Sequence, residues 1–143
     1  MSPLIFHHIF VGRNLVIIPT VARTTTGLFL DVEPVAALPY SDPEAIRTVL
    51  ITLLAQGNPE VPLPSRDGYK PVVYPYAGVK SWPAFEKKFD CIAIKHDGTE
   101  YQIVFTSRDK HGRVVDGPSR TERVSNETVI TRVLDHVLSS KRA

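Results

Sequence analysis

The chain has 143 residues, 17 lysines and arginines against 15 aspartates and glutamates, a net charge of +2 and 43% apolar residues. That length is one domain's worth of protein with room for a real core, and the apolar content argues against disorder. The charge is too small to imply a nucleic-acid partner, and a single cysteine, Cys91, excludes an internal disulfide and a Cys-based zinc site. Charge is unevenly spread: residues 1–64 carry three basic and five acidic side chains, residues 65–143 fourteen and ten. No signal-peptide pattern opens the sequence, and the apolar runs at 15–18 and 50–55 fall far short of the roughly 20 residues of a membrane helix. A cytoplasmic, reduced, soluble protein is expected.

Residues 4–11 are rich in β-branched and aromatic side chains and predict a strand. Gly12-Arg13-Asn14 signals a turn. Residues 15–23 predict a second strand. Pro19 cannot donate to a ladder, so this strand lies at an edge or bulges there. After Thr24-Thr25-Thr26-Gly27, residues 28–33 predict a third strand, completing an antiparallel meander. The first helix is expected over 43–56. It starts at Asp42-Pro43 or at a capping box of Ser41 and Glu44, and ends at Gly57. Ile46, Val49, Leu50, Leu53 and Leu54 recur along it at helical spacing.

Residues 58–68, with Pro59, Pro62 and Pro64, form a connector between halves 1–57 and 69–143 of a single domain. Residues 69–76 predict a strand limited by Pro71 and Pro75. Ser81 caps a short helix over 82–88 whose Trp82, Phe85 and Phe89 face one way, with Trp82 and Phe85 read as core. Residues 91–95 and 101–106 predict strands joined at Asp97-Gly98, a strong hairpin signal. A polar loop over 107–120 leads to a short strand over 121–124. The closing helix, 126–140, starts at Asn126 and carries a stripe of Val129, Ile130, Val133, Leu134, Val137 and Leu138. The fold class is α+β: two repeats of an antiparallel β-meander of about three to four strands followed by an amphipathic helix, the helices packed on one extended sheet or two.

No constellation predicts catalysis. His7 and His8 are adjacent on a strand and point to opposite faces, so they cannot share a metal. His96, His111 and His136 show no metal-ligand spacing. Asp31 and Glu33 share a strand face, but nothing splits two carboxylates into acid and base. Cys91 opens a strand beside Asp90, which suits a small buried hydrophobe better than a nucleophile. The scattered glycines form no phosphate loop. No cofactor, metal or catalytic residue is expected. Arg108, Lys110, Arg113, Arg120 and Arg123, interleaved with Asp109, Asp116 and Glu122, suit a charged partner surface rather than a phosphate tract. Tyr69, Tyr74, Tyr76 and Trp82 add an aromatic cluster.

Tyr69-Lys70-Pro71-Val72-Val73, Ala77-Gly78-Val79-Lys80-Ser81-Trp82-x-Ala84-Phe85, and the Asp97-Gly98 hairpin with Tyr101-x-Ile103-Val104 resemble the immunity proteins of bacterial contact-dependent growth inhibition systems. The likeness covers roughly the last 75 residues and departs at Cys91 and Arg113, where aromatic residues would be expected. The resemblance implies a cytoplasmic non-enzyme that binds the toxin C-terminal domain delivered by a sibling cell, as a heterodimer, and blocks it. Such toxins are often nucleases, and a nuclease is the expected target. Nuclease inhibitors tend to be acidic. A pI near 8.8 therefore calls for an acidic toxin surface or for binding away from the active site. The expected partner-binding residues are Tyr74, Tyr76, Arg108, Lys110, Arg113, Asp116, Arg120 and Glu122. The rival expectation is a single-stranded nucleic-acid-binding module, with exposed aromatics and a basic second half; a further one is a hydrolase using His96 or His111.

Overall fold

A computed structural model of the chain describes residues 5–64, 71–105 and 121–139. The order of elements is β1 (Ile5–Val11), β2 (Val16–Thr24), β3 (Phe29–Leu38), α1 (Pro43–Gln56), β4 (Glu60–Val61), α2 (Tyr74–Ala77), α3 (Trp82–Lys88), β5 (Asp90–His96), β6 (Tyr101–Phe105), β7 (Thr121–Val124) and α4 (Val129–Ser139). The class is α+β. Both halves run as meander then amphipathic helix: β1–β2–β3 with α1, and β5–β6–β7 with α4.

The two meanders join as one sheet in the order β3-β2-β1-β5-β6-β7. The seam is an antiparallel pair with Ile5 opposite His96 and Val11 opposite Asp90. Pro19 lies in an interior strand, and the β2–β3 register slips between Pro19 and Thr20, so the bulge and not the edge absorbs the missing donor. β3 runs on to Leu38, past a cis Glu33–Pro34 peptide.

Side chains alternate along β1 and split the interior in two. Ile9 and Val11 face α1 and α4, in a core with Ile46, Leu50, Ile92, Ile94 and Val133. Phe10 faces the other way, with Ile17, Val73, Phe85 and Phe89. Each fully buried Ile, Leu, Phe or Val contributes about 1.5–3 kcal/mol through burial, so these two layers dominate the stability of the sheet.

Local chemistry sets the helix ends. The Asp42 side chain, rather than a Ser41 capping box, accepts from Ala45 N at 3.1 Å. Pro43 sits in the first turn, where its missing N–H costs nothing, and Gly57 closes the helix at φ +71°. At the other helix, Asn126 does not serve as the cap. The Ser125 carbonyl accepts from Thr128 N and Val129 N, α4 starts at Val129, and the Asn126 amide crosses to His96 instead. The preference of Asn for caps yields here to a long-range partner on the hairpin.

The connector does more than span. β1 and β2 are in register only at Phe10–Ile17 and Val11–Val16 and then part. The gap is filled from the connector. Asn58 accepts from Phe6 N at 3.0 Å and donates to Phe6 O at 2.7 Å and Val21 O at 2.9 Å. β4 then runs parallel to the end of β2, opposite Arg23 and Thr24.

The strand expected over 69–76 is overturned within the described residues. Val73 is buried, and Tyr74–Ala77 forms one helical turn ended by Gly78 at φ +68°. Pro75 lacks a ladder donor but suits a first helical turn, which outweighs the β preference of Val72, Val73 and Tyr74.

Candidate protein-interaction site

The face of the sheet away from α1 and α4 is only partly covered. α2 and α3 lie over the Phe10–Ile17–Val35 region, and the remainder carries Phe6, His8, Arg23, Phe29, Asp31 and Lys95. Two features of this covering segment concern function.

The first is a largely apolar cavity of about 220 Å³ bounded by His8, Phe10, Trp82, Phe85, Glu86, Phe89 and Cys91. α3 positions its walls. The Ser81 hydroxyl accepts from Ala84 N at 3.3 Å and fixes the helix start, with Pro83 in the first turn. Residues 82, 85 and 89 then fall on one stripe. Trp82 lies 5.1 Å from Phe85 and Phe85 4.8 Å from Phe89, centroid to centroid, with Phe10 edge-on to Phe85 at 4.8 Å. Phe85 and Phe89 are buried. Trp82 is not: it is 41% exposed, which corrects its assignment to the core. At the first residue of a helix laid across a sheet, a ring overhangs the end of the layer instead of entering it. The Trp82 Nε1 donates to Glu86 at 2.7 Å, one turn on, which holds the indole at the mouth of the cavity.

His8 stands on the opposite wall, paired through Nε2 with Asp31 Oδ1 and packed between Phe6 and Phe10. Cys91, His8 and the Glu86 carboxylate line this cavity, a set of residue types that a nucleophilic site would use. Burial, then the nearby Asp31 and Asp90, pushes the Cys91 thiol up to about 12. The thiolate is therefore disfavoured by the very surroundings a nucleophile would need to be reversed. Among the described residues no group of three or more His, Cys, Asp and Glu is placed to hold a metal.

The second feature is a cleft of about 390 Å³ between the β1–β2 turn and the α2–α3 segment. Arg13, Lys87 and Lys88 supply its charge, and Leu15, Ala77 and Phe89 supply its apolar lining. Tyr76 forms one wall. It is 37% exposed, and its hydroxyl donates to the Glu33 carboxylate, 3.0 Å from each oxygen. That bond, with the carboxylate's charge, raises the Tyr76 pKa and keeps the phenol protonated.

Of the residues expected to bind a partner, Tyr76 borders this cleft. Tyr74 is half-buried, with its ring 6.5 Å from Phe85. Glu122 lies on the other side of the sheet and is internally engaged. It accepts from Arg132 Nη2 at 2.6 Å and meets His136 Nε2 at 2.9 Å, and these bonds hold its carboxyl down at about 2. Arg108, Lys110, Arg113, Asp116 and Arg120 lie outside the described residues. His96 has its ring on Tyr101, its Nδ1 accepting from Gly98 N and its Nε2 meeting Asn126. It faces an amide and not a carboxylate, and His111 lies outside the described residues. Sequence reasoning missed Arg13, Lys87, Lys88 and the exposure of Trp82. The adjacent lysines at the end of a short helix and the arginine in a tight turn were visible, but their convergence depends on the sheet order.

No protein-family model matches the chain, and no curated protein matches it. Among solved structures the chain is similar to a protein of unknown function from Neisseria meningitidis, NMB0488. The TM-score is 0.59 at 18% identity, over 96% of this chain and 95% of that one. At that identity the likeness establishes a shared fold along nearly the whole chain, Met1 half included.

Proposed function

We propose that the protein is the immunity partner of a contact-dependent growth inhibition toxin. It binds the toxin's C-terminal domain, a nuclease, one-to-one in the cytoplasm and neutralises it without catalysing a reaction. The observation that carries this reading is Trp82. It belongs to the Val79-Lys80-Ser81-Trp82 pattern that supports the family resemblance. It is also an exposed ring, held by Glu86, over an apolar cavity. Interfaces concentrate their energy in aromatic anchors and the pockets beside them, and truncating one typically costs about 2–4 kcal/mol. The test is protection. In cells expressing the C-terminal domain encoded by the gene immediately upstream, which this proposal requires to be the toxin, co-expression of this chain is expected to preserve growth. Trp82→Ala, folded as judged by its spectrum, is expected to lose that protection. Growth arrest despite the wild-type chain would remove the proposal.

The rival reading, a single-stranded nucleic-acid module, draws on the open part of the same face. There Arg23 lies 4.8 Å over the Phe29 ring and Lys95 6.0 Å from the Phe6 ring. A stacking platform needs free ring faces. Phe6 and Phe29 pack on each other at 5.2 Å and are flanked by cations, while Asp31 stands beside them and repels phosphate. The protein-binding reading is the stronger.

A further inference from the structure

The cationic cleft has a composition that folding alone does not explain. Lys87 and Lys88 end α3, where positive charge offsets the helix dipole. Arg13 comes from the opposite wall, on the β1–β2 turn, and that account does not extend to it. Arg13 and Lys88 are exposed and make no ion pair or hydrogen bond among the described residues. No described carboxylate lines the cleft. Two unpaired cations, Arg13 and Lys88, are thus brought to one concavity beside Lys87, over an apolar floor of Leu15, Ala77 and Phe89.

We propose that this cleft docks an acidic segment of the partner protein, an aspartate or glutamate between the cations with an adjacent apolar side chain on the floor. The proposal rests on the toxin-binding reading and adds the partner's chemistry: a basic immunity protein with an acidic contact segment. Size and charge favour a protein over a nucleic acid. A cleft of about 390 Å³ takes a few side chains, not a run of nucleotides. A strand-tracking groove needs continuous cations. Here Glu33, bonded to Tyr76 on the cleft wall, adds a negative charge on the flank that a phosphate backbone would have to pass.

The experiment maps amide shifts of the full chain during titration with three probes. These are an end-blocked pentapeptide alternating glutamate with leucine and phenylalanine, inorganic phosphate, and an oligothymidylate of about eight nucleotides. The peptide is expected to shift residues 13–15, 76–77 and 87–89. The charge reversal R13E/K88E should weaken it at least tenfold, and R47E on α1, across the sheet, should leave it within twofold. The neutral pair R13Q/K88Q serves if the reversal disturbs folding. Peptide shifts that fall elsewhere, or that survive both double variants, overturn the proposal. So does phosphate or the oligothymidylate binding these amides as tightly as the peptide. The C-terminal domain encoded by the gene immediately upstream separates the two readings. If it binds wild type and R13E/K88E equally, the cleft is not the docking site and the immunity reading stands. If it fails to bind wild type while the peptide occupies the cleft, the immunity reading falls and the acidic-segment site stands.

Discussion

His7 is the residue the fold tolerates least comfortably. It is 0% exposed, on the α1–α4 side of β1 opposite Ile94, and neither ring nitrogen has a partner among the described residues. Burial, reinforced by the neighbouring His8, lowers its pKa to about 4. The folded protein therefore keeps His7 neutral, while the unfolded chain takes up a proton near pH 6.5. Its contribution is complete above pH 6.5 and is lost as pH falls to 4, by about 3 kcal/mol in all. Glu122, held down at about 2 by Arg132 and His136, acts in a lower window, from pH 4.5 downwards. Urea midpoints at pH 7, 5.5, 4.5 and 3 separate the two. His7→Leu should flatten the loss between pH 6.5 and 4.5 and leave the steeper loss below it. It should also raise stability at pH 7 by about 1–3 kcal/mol, because two unpaired buried nitrogens disappear. An unchanged slope in His7→Leu would assign the loss to other groups. Gly12 makes a second prediction at this scale. A Cβ there would lie 2.6 Å from Phe89 Cε1, and Phe89 is pinned in the aromatic layer. Gly12→Ala should cost about 1–3 kcal/mol by overpacking, read as a lowered urea midpoint.

At the scale of elements, the joint between β1 and β2 depends on Asn58. Three hydrogen bonds from one amide satisfy backbone groups that diverging strands cannot satisfy for each other. Asn58→Ala should cost about 2–4 kcal/mol, and the amide of Phe6 should lose hydrogen-exchange protection before those of β5 and β6. Equal protection of Phe6 in the variant would mean that water replaces the side chain without loss. This joint also marks where the sequence stopped being legible. Strand and helix existence was readable from periodicity: α1, α3, the β5–β6 hairpin and the apolar stripe of α4 lie where the pattern puts them. The Pro19 bulge was readable because proline chemistry leaves few alternatives. Asn58 was not, because its value comes from two strands distant in sequence that part at that point. Asn126 misled for a related reason: local preference favoured a cap, and a tertiary partner, His96, overrode it. Tyr74–Ala77 misled because two local preferences competed, and the fit of Pro75 to a first helical turn outweighed the β preference around it.

For the whole molecule, two meander–helix units share one sheet, with α1 and α4 on one face and α2–α3 across part of the other. The repeat of element order was visible in the sequence. That it closes into one sheet through β1 and β5, rather than two, depends on a pairing between strands about 85 residues apart that periodicity does not encode. The candidate site was visible only in fragments. Tyr76 was named, Trp82 was assigned to the core, and Arg13 was passed over as a turn residue. Trp82 lies on the apolar cavity and Tyr76 and Arg13 on the cleft, and the two adjoin at Phe89 because the α2–α3 segment lies over the first meander. Under the proposed function, the exposed indole beside an apolar cavity and the adjoining cationic cleft make the α2–α3 segment the candidate docking surface. Calorimetric titration of the full chain with the C-terminal domain encoded by the gene immediately upstream, which the proposal requires to be the toxin, tests this directly. A one-to-one complex with Kd below about 1 μM, weakened at least thirtyfold by Trp82→Ala, is the expected result. No binding by the wild-type chain, or equal binding by the Trp82→Ala chain, would contradict it.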